Sequence, residues 1–300
     1  MLLLPEQTIP RCSQLLNLTP KLLTRHDSTT NRIGEKGKNM KTVTNRNQNK
    51  YLINWIGGKR LLRKKIAELI PGDIGSYIEP FGGGAWVLFY KDRWAPVEVY
   101  NDLNSELYNM FKIVKYHPEE FVKELRWMFA SRELFSEQKS LNPETDIKKA
   151  ARFFYLIQRS FGAKGMHFGT IRDGRKSSGK SHLNIINRIW CASCRFDKVL
   201  IEHLDFELLI EKYDCESAFF YCDPPYVEGG DYYEVVDKTF DHERLRERLG
   251  RVKGRWLLSY GDNEYIRDLY KDFDIIPVSR QNTLNNQIKA TFNELLIKNY

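Results

Sequence analysis

An α/β fold, built on a mostly parallel sheet with helices on both faces and a mainly helical insert, is what this 300-residue sequence predicts. Three observations carry that expectation. Seven short runs rich in β-branched and aromatic residues recur along the chain, helical patterns separate several of them, and two runs end in rigid or glycine-rich turns. Strands alternating with helices imply parallel pairing covered on both faces. At 42% hydrophobic and 13% aromatic residues the chain can bury a large core, and its length suits one α/β domain with an inserted subdomain.

The elements follow in order. Residues 1–50 are rich in Asn, Thr, Lys and Arg without sustained periodicity, so a disordered basic tail is expected, and Met40 is a candidate for the true start. Met1-Leu2-Leu3-Leu4-Pro5 has no basic start and breaks at once, unlike a secretory signal. No run of about 18 apolar residues predicts a membrane span. Asn54-Trp55-Ile56-Gly57-Gly58-Lys59 opens a helical stretch over 60–70, ended by Pro71-Gly72. A strand over 76–81 runs into Gly82-Gly83-Gly84, after which 85–90 reads as a helix. A second strand, 97–100, ends in Asn101-Asp102, and 105–114 is helical. Residues 118–157 look helical, with Phe153-Phe154-Tyr155-Leu156-Ile157 as an apolar face. Further strands are expected at 199–204, 218–222, 256–260, 273–278 and 293–298, with a helix at 242–249. The sheet pattern pauses between Val114 and Val199. Residues 51–115 and 199–300 therefore form the sheet domain and 116–198 the insert.

Chemistry concentrates at strand ends, where open α/β sheets bind ligands. Ala218-Phe219-Phe220-Tyr221-Cys222 is a buried strand stopped by Asp223-Pro224-Pro225-Tyr226, since two prolines lack backbone donors. The stop leaves a carboxylate, a rigid carbonyl and an aromatic ring together. The two acceptors suit one amino group and the ring suits stacking on the base that bears it, an arrangement for methyl transfer to an exocyclic nitrogen. The glycine turn lets backbone approach a ligand closely and aims amides at it. Asp102, 18 residues after Gly84, is placed for ribose hydroxyls. Trp55 and Lys59 could stack on and neutralise parts of the same cofactor.

In this order, Trp55-Ile56-Gly57-Gly58-Lys59, Glu79-Pro80-Phe81-Gly82-Gly83-Gly84, Asn101-Asp102-Leu103-Asn104 and Asp223-Pro224-Pro225-Tyr226 resemble the motifs of Dam-like (class alpha) adenine-specific DNA methyltransferases. The final Asn293-Glu294-Leu295-Leu296-Ile297-Lys298-Asn299-Tyr300 is similar to the family's last strand. The resemblance implies a Rossmann-like S-adenosylmethionine-dependent methyltransferase sheet carrying an inserted target-recognition subdomain. It implies S-adenosylmethionine as cofactor, held at Trp55, Lys59, Phe81, Gly82, Gly84, Asp102 and Asp223, and catalysis by Asp223, Pro224 and Tyr226 on a flipped adenine of double-stranded DNA. No metal is expected. The implied setting is the cytoplasm of a bacterial or phage-infected cell, with a monomer as the expected state and a cognate restriction endonuclease as a candidate partner.

Charge supports a polyanion locally. Residues 1–50 carry +6 and residues 151–200 carry +8; against +8 for the whole chain, the rest is −6. Within the basic insert, Arg159, Lys164, Arg172, Arg175, Lys176 and Lys180 are interleaved with aromatics, suiting phosphate tracking and base-edge contact. Better-known family members carry an aromatic-Asn-Gly turn and a Phe-Asn-x-Pro-Phe-Gly-like stretch. This chain has Phe161-Gly162 and His167-Phe168-Gly169 instead, so a GATC target does not follow. Five cysteines, an odd count, fit reduced thiols better than a disulfide framework, with Cys191-Ala192-Ser193-Cys194 the only CxxC. Asp223 favours adenine over the Ser-Pro-Pro-Tyr of cytosine enzymes. DNA cytosine, RNA adenine and protein amide methylation, and a non-catalytic DNA-binding relative, are the alternatives.

Overall fold

The computed structural model describes residues 51–169, 182–226, 240–281 and 291–300. Residues 49–300 form one unit. Among the described residues seven strands make a single sheet: β1 (Ser76–Glu79), β2 (Val97–Asn101), β3 (Val199–Glu202), β4 (Ala218–Cys222), β5 (Arg255–Gly261), β6 (Asp274–Gln281) and β7 (Thr291–Lys298). Their order is β3-β2-β1-β4-β5-β7-β6. The first five are parallel, whereas β7 runs antiparallel between β5 and β6. All seven expected strands are present, with ends shifted by up to three residues.

The central strands β1, β4 and β5 bury both faces, whereas the outer strands β3 and β6 are partly exposed. Along β4, Phe219 and Tyr221 point to one core and Phe220 and Cys222 to the other, as period-two alternation dictates. The second core is covered by α7 (Phe206–Tyr213), α8 (His242–Leu249) and α9 (Glu264–Leu269). The first is covered by α2 (Ser105–Tyr116), α3 (Pro118–Leu125), α5 (Asp146–Arg159) and α6 (His182–Phe196). Three helices of the 116–198 segment, α3, α5 and α6, therefore share a core with the sheet, and Phe196 of α6 stacks on Phe111 of α2 at 4.9 Å between ring centroids.

Two helical expectations change. The stretch 118–157 is three helices, because Ser131 caps α4 (Arg132–Ser140) and Thr145 caps α5 beyond Pro143. Residues 85–90 do not form a helix after the glycines. Ala85 takes φ 55° and only a 3₁₀ turn, Leu88–Tyr90, forms. The indole N–H of Trp94 donates to the Val87 carbonyl and the Arg195 guanidinium to that of Leu88, so side chains take acceptors that a following helical turn would use. Upstream, α1 (Arg63–Leu69) starts later than expected, after a turn at 59–62.

Arg195 also grips Glu98 of β2 with two nitrogens at 2.7 and 2.8 Å, and Glu98 accepts the Trp94 amide at 2.9 Å. Both side chains are buried, so the pair fastens α6 to the sheet and to the loop before β2. Arg195→Met should cost about 3–5 kcal/mol in urea unfolding, because it strands a buried carboxylate. Adding Glu98→Gln should recover part of that loss; a single-variant loss below about 1 kcal/mol would contradict the assignment.

Glu79 ends β1 in the interior, accepting the Tyr77 hydroxyl at 2.6 Å. Burial pushes its carboxyl up from 4.5 to about 8. A folded-state value above the unfolded one means its stabilisation is complete below about pH 4.5 and is lost as pH rises through 8. Glu79→Gln, which keeps the neutral shape, should therefore raise the melting temperature more at about pH 9 than at about pH 5. Equal shifts at the two pH values would mean that Glu79 does not titrate across that window.

Candidate active site

The carboxyl ends of β1, β2 and β4 meet at one edge, above a cleft of about 660 Å³. Asn101 ties the tips of β1, β2 and β3 together. Its side-chain amide donates to the carbonyls of Pro80 (2.8 Å) and Leu204 (3.0 Å), and its Oδ1 accepts the Leu204 amide. The glycine turn is then held from both sides. Gly83 donates its amide to Asp102 Oδ2 at 2.7 Å, and its carbonyl accepts the Tyr100 hydroxyl at 2.9 Å. Gly83 adopts φ 49°, the left-handed region where a side chain is strained, and a Cβ there would press on the Trp55 ring at 3.0 Å. At Gly82 a Cβ would collide with the Tyr100 ring. That glycine thus answers to packing beneath the turn as well as to the cleft.

Trp55, Lys59, Phe81, Gly82, Gly84, Asp102, Asp223, Pro224 and Tyr226, although far apart in sequence, all line this cleft. Asp102 uses Oδ1 on the Asn104 amide as well as Oδ2 on Gly83, so it braces the turn while facing the cavity. Burial raises its carboxyl above the ordinary aspartate range, against the pull of those two amides. Lys164 also reaches the cleft. Arg159 is not among its lining residues; it ends α5, and its carbonyl accepts the Gly169 amide. Arg172, Arg175, Lys176 and Lys180 lie outside the described residues.

Lys59, read from sequence as a cofactor contact, lines the cleft and also reaches the Asp-Pro-Pro-Tyr motif. Its Nζ lies 2.6 Å from Asp223 Oδ1 and 2.9 Å from the Gly57 carbonyl, and sits 4.8 Å from the centroid of the Tyr226 ring. Ser259 of β5 donates to the same Asp223 oxygen at 2.9 Å. No described group donates to Oδ2. Burial pushes the Asp223 carboxyl up, while Lys59 and Ser259 pull it down, and the short contact to the ammonium favours the ionised form. The Tyr226 phenol, raised far above its usual range by burial, stays protonated and donates to Glu294 Oε2 at 3.1 Å.

Sequence reasoning missed the opposite wall. Asp205 caps α7, Arg244 pairs with Asp205 and with Glu207 (2.7 Å), and Phe81 packs on Phe206 and Phe240 at 5.5 and 5.6 Å. An acid directly after the third strand and opening a helix was an available signal for Asp205. Ser259 and Glu294 had none, being polar positions inside strands.

The cleft fits a cofactor of S-adenosylmethionine's kind. It pairs aromatic surface at Trp55, Phe81, Phe206 and Phe240 with carboxylates at Asp102 and Asp205. Trp86, also in its wall, has a buried indole N–H with no partner among the described residues. Such a donor is costly to leave unmade.

Residues 55–284 match the family model for D12 class N6 adenine-specific DNA methyltransferases. The chain is 26% identical to a Type II methyltransferase, M.CviBI, of Paramecium bursaria Chlorella virus NC1A over 84% of its length and all of the relative's. It is 27% identical to M1.LlaDCHI of Lactococcus lactis subsp. cremoris, another Type II methyltransferase, covering 82% of this chain and 94% of that one. A DNA adenine methylase of Serratia marcescens is 24% identical over 83% and 98% of the two chains. With the motifs gathered at one cleft and the match spanning most of the described sequence, the chain belongs to the D12 class N6 adenine-specific DNA methyltransferase family and transfers a methyl group from S-adenosylmethionine to the exocyclic amino group of adenine in DNA.

Proposed function

We propose that Asp223, Pro224 and Tyr226 form the catalytic group and that Trp55, Lys59, Phe81, Gly82, Gly84, Asp102 and Asp223 hold the cofactor, with Lys59 also pairing with Asp223. The observation that carries this reading is the division of labour on the Asp223 carboxylate, which lines the cleft: Oδ1 takes Lys59 and Ser259, and Oδ2 has no donor among the described residues. An amino group placed there meets Oδ2 and the Pro224 carbonyl together. Adenine's amino lone pair is delocalised into its ring and is a weak nucleophile. Two acceptors on its hydrogens favour a tetrahedral nitrogen as the bond forms, with orientation supplied by the site. The nitrogen becomes strongly acidic once methylated, so Asp223 need not remove a proton beforehand. S-adenosylmethionine supplies a methyl already activated on a sulfonium, and the reading assigns no metal.

The target base must leave the duplex to reach Oδ2, and Tyr226 offers the stacking surface for it. In this reading the 116–198 segment, carried on α3 to α6, is the target-recognition part, with Arg159, Lys164, Arg172, Arg175, Lys176 and Lys180 on phosphates or base edges. The Type II naming of the viral and lactococcal relatives supports a restriction-modification setting with a cognate endonuclease. A monomer suffices for the chemistry, since every proposed group comes from one chain.

Asp223→Ala should abolish transfer of labelled methyl into unmodified DNA while keeping the fold; activity within about tenfold of the parent would remove Asp223 from the mechanism. Asp102→Ala and Trp55→Ala should weaken cofactor binding in calorimetry more than DNA binding, and unchanged cofactor affinity in both would displace the pocket. Neutralising Arg172, Arg175, Lys176 and Lys180 together should weaken DNA binding and flatten its dependence on salt. Removing residues 1–39 should do neither. The reverse pattern would make the tail the DNA-binding element.

A further inference from the structure

Glu294 is a carboxylate at 3% exposure in the middle of β7, where an apolar residue would be expected. It stands opposite Gly261 of β5 and Val278 of β6, so neither neighbouring strand presents a charge at its level. Two of the groups that contact it belong to the active site: the Tyr226 hydroxyl at 3.1 Å and the Lys59 ammonium at 3.9 Å. Lys59, itself 5% exposed, therefore lies between two carboxylates, 2.6 Å from Asp223 and 3.9 Å from Glu294. Burying a charge is costly unless it is paired, and the pairing seen here is with the ammonium and the phenol of the active site.

We infer that Glu294 is a positioning residue for methyl transfer: it shares the Lys59 ammonium with Asp223 and anchors the Tyr226 phenol, which keeps Asp223 a strong hydrogen-bond acceptor. The inference rests on the catalytic reading of Asp223. An aspartate neutralised by an undivided ammonium accepts poorly from an amino group; one whose cation is drawn toward a second carboxylate accepts better. The same contacts fix the tilt of the Tyr226 ring, because its hydroxyl is tied down on the far side from the cleft. Glu294 itself is not among the residues lining the cleft, so its effect must pass through Lys59 and Tyr226. Its charge also raises the Asp223 carboxyl, whereas Lys59 lowers it; the Glu79 carboxyl, the Cys222 thiol and the phenols of Tyr221, Tyr226 and Tyr260 share the same field and are common to all the variants compared.

The opposed signs give a test that loss of packing would not mimic. In single-turnover assays with labelled cofactor and unmethylated DNA, Glu294→Gln should slow transfer roughly thirtyfold and leave cofactor affinity within about threefold. The acid limb of its pH–rate profile should move to lower pH, because Asp223 loses a neighbouring negative charge. Lys59→Met should move that limb to higher pH. Glu294→Asp, which keeps the charge, should restore the limb and part of the rate. A folded Glu294→Gln protein with the parent's rate and acid limb, or one whose limb moves upward, overturns the inference. Should Glu294→Gln fail to fold by circular dichroism, Glu294→Asp decides: a reduced rate with retained cofactor affinity supports the inference, and the parent's rate overturns it. Asp223→Ala is run alongside; if that variant still turns over, the catalytic reading itself fails, whereas an inactive Asp223→Ala beside an unaltered Glu294→Gln removes Glu294 alone.

Discussion

The cleft depends on parallel strands ending at one level: backbone pairing aligns β1, β2 and β4, and Asn101 ties the tips of β1, β2 and β3 together. Parallel pairing places Ile78 of β1 beside Val99 of β2 and Phe220 of β4, so the three chains leave the sheet together. A bare sheet edge would then expose unpaired backbone groups. Asn101 supplies one amide for the Pro80 and Leu204 carbonyls and one carbonyl for the Leu204 N–H, so three of these groups are paired by a single side chain. With those groups paired, the glycine turn hangs from Asp102 and Tyr100 with its backbone facing the cavity.

The electrostatics follow from the same edge. Glu79, Asp102, Asp223 and Glu294 are all drawn inward, and burial raises the first three carboxyls. Each is tolerated by a different device: a buried phenol at Glu79, backbone amides at Asp102, an ammonium and a hydroxyl at Asp223, and a phenol beside that ammonium at Glu294. Lys59 is the one cation within 4 Å of Asp223 among the described residues, and it reaches that carboxylate because the Gly57 carbonyl holds its ammonium from behind. Gly57 takes φ 75°, a conformation that few side chains allow, which explains the glycine next to Gly58 better than ligand contact does.

The strands were legible because each is an apolar, β-branched or aromatic run bounded by polar or turn residues, and their order along the chain fixes most of the parallel sheet. The motifs at the tips were legible for the same reason, since a strand stopped by Pro-Pro or by three glycines announces an exposed end. What stayed hidden depends on contacts distant in sequence. The 85–90 segment has an apolar pattern fit for a helix, yet Trp94 and Arg195 claim its carbonyls from outside. Helix α6 was missed because its apolar face follows a basic, glycine-rich stretch that masks its start. Ser259 and Glu294 look like ordinary interior strand positions until β4–β5 and β5–β7 pairing brings them to Asp223 and Tyr226.

The placement of the proposed recognition segment has a mechanical consequence. It is not a separate module on a hinge, since α5 and α6 bury Phe153, Phe154, Ile157, Ile189 and Phe196 in the core beneath the sheet. The turn after α5 closes on itself through a bridge between Ser160 and Phe168, with the Ser160 hydroxyl accepting the Gly165 amide. Ile157 and Lys164, at the root of that turn, already line the cleft, and Trp55 packs its ring on Phe153 of the same helix. Under the proposed reading, a shift of the turn on engaging DNA would be transmitted to Trp55 and the glycine loop through close-packed side chains. Packing of this kind moves between discrete arrangements rather than yielding smoothly. DNA engagement and cofactor binding would then be coupled through α5, with Phe153 against Trp55 as the point where one meets the other.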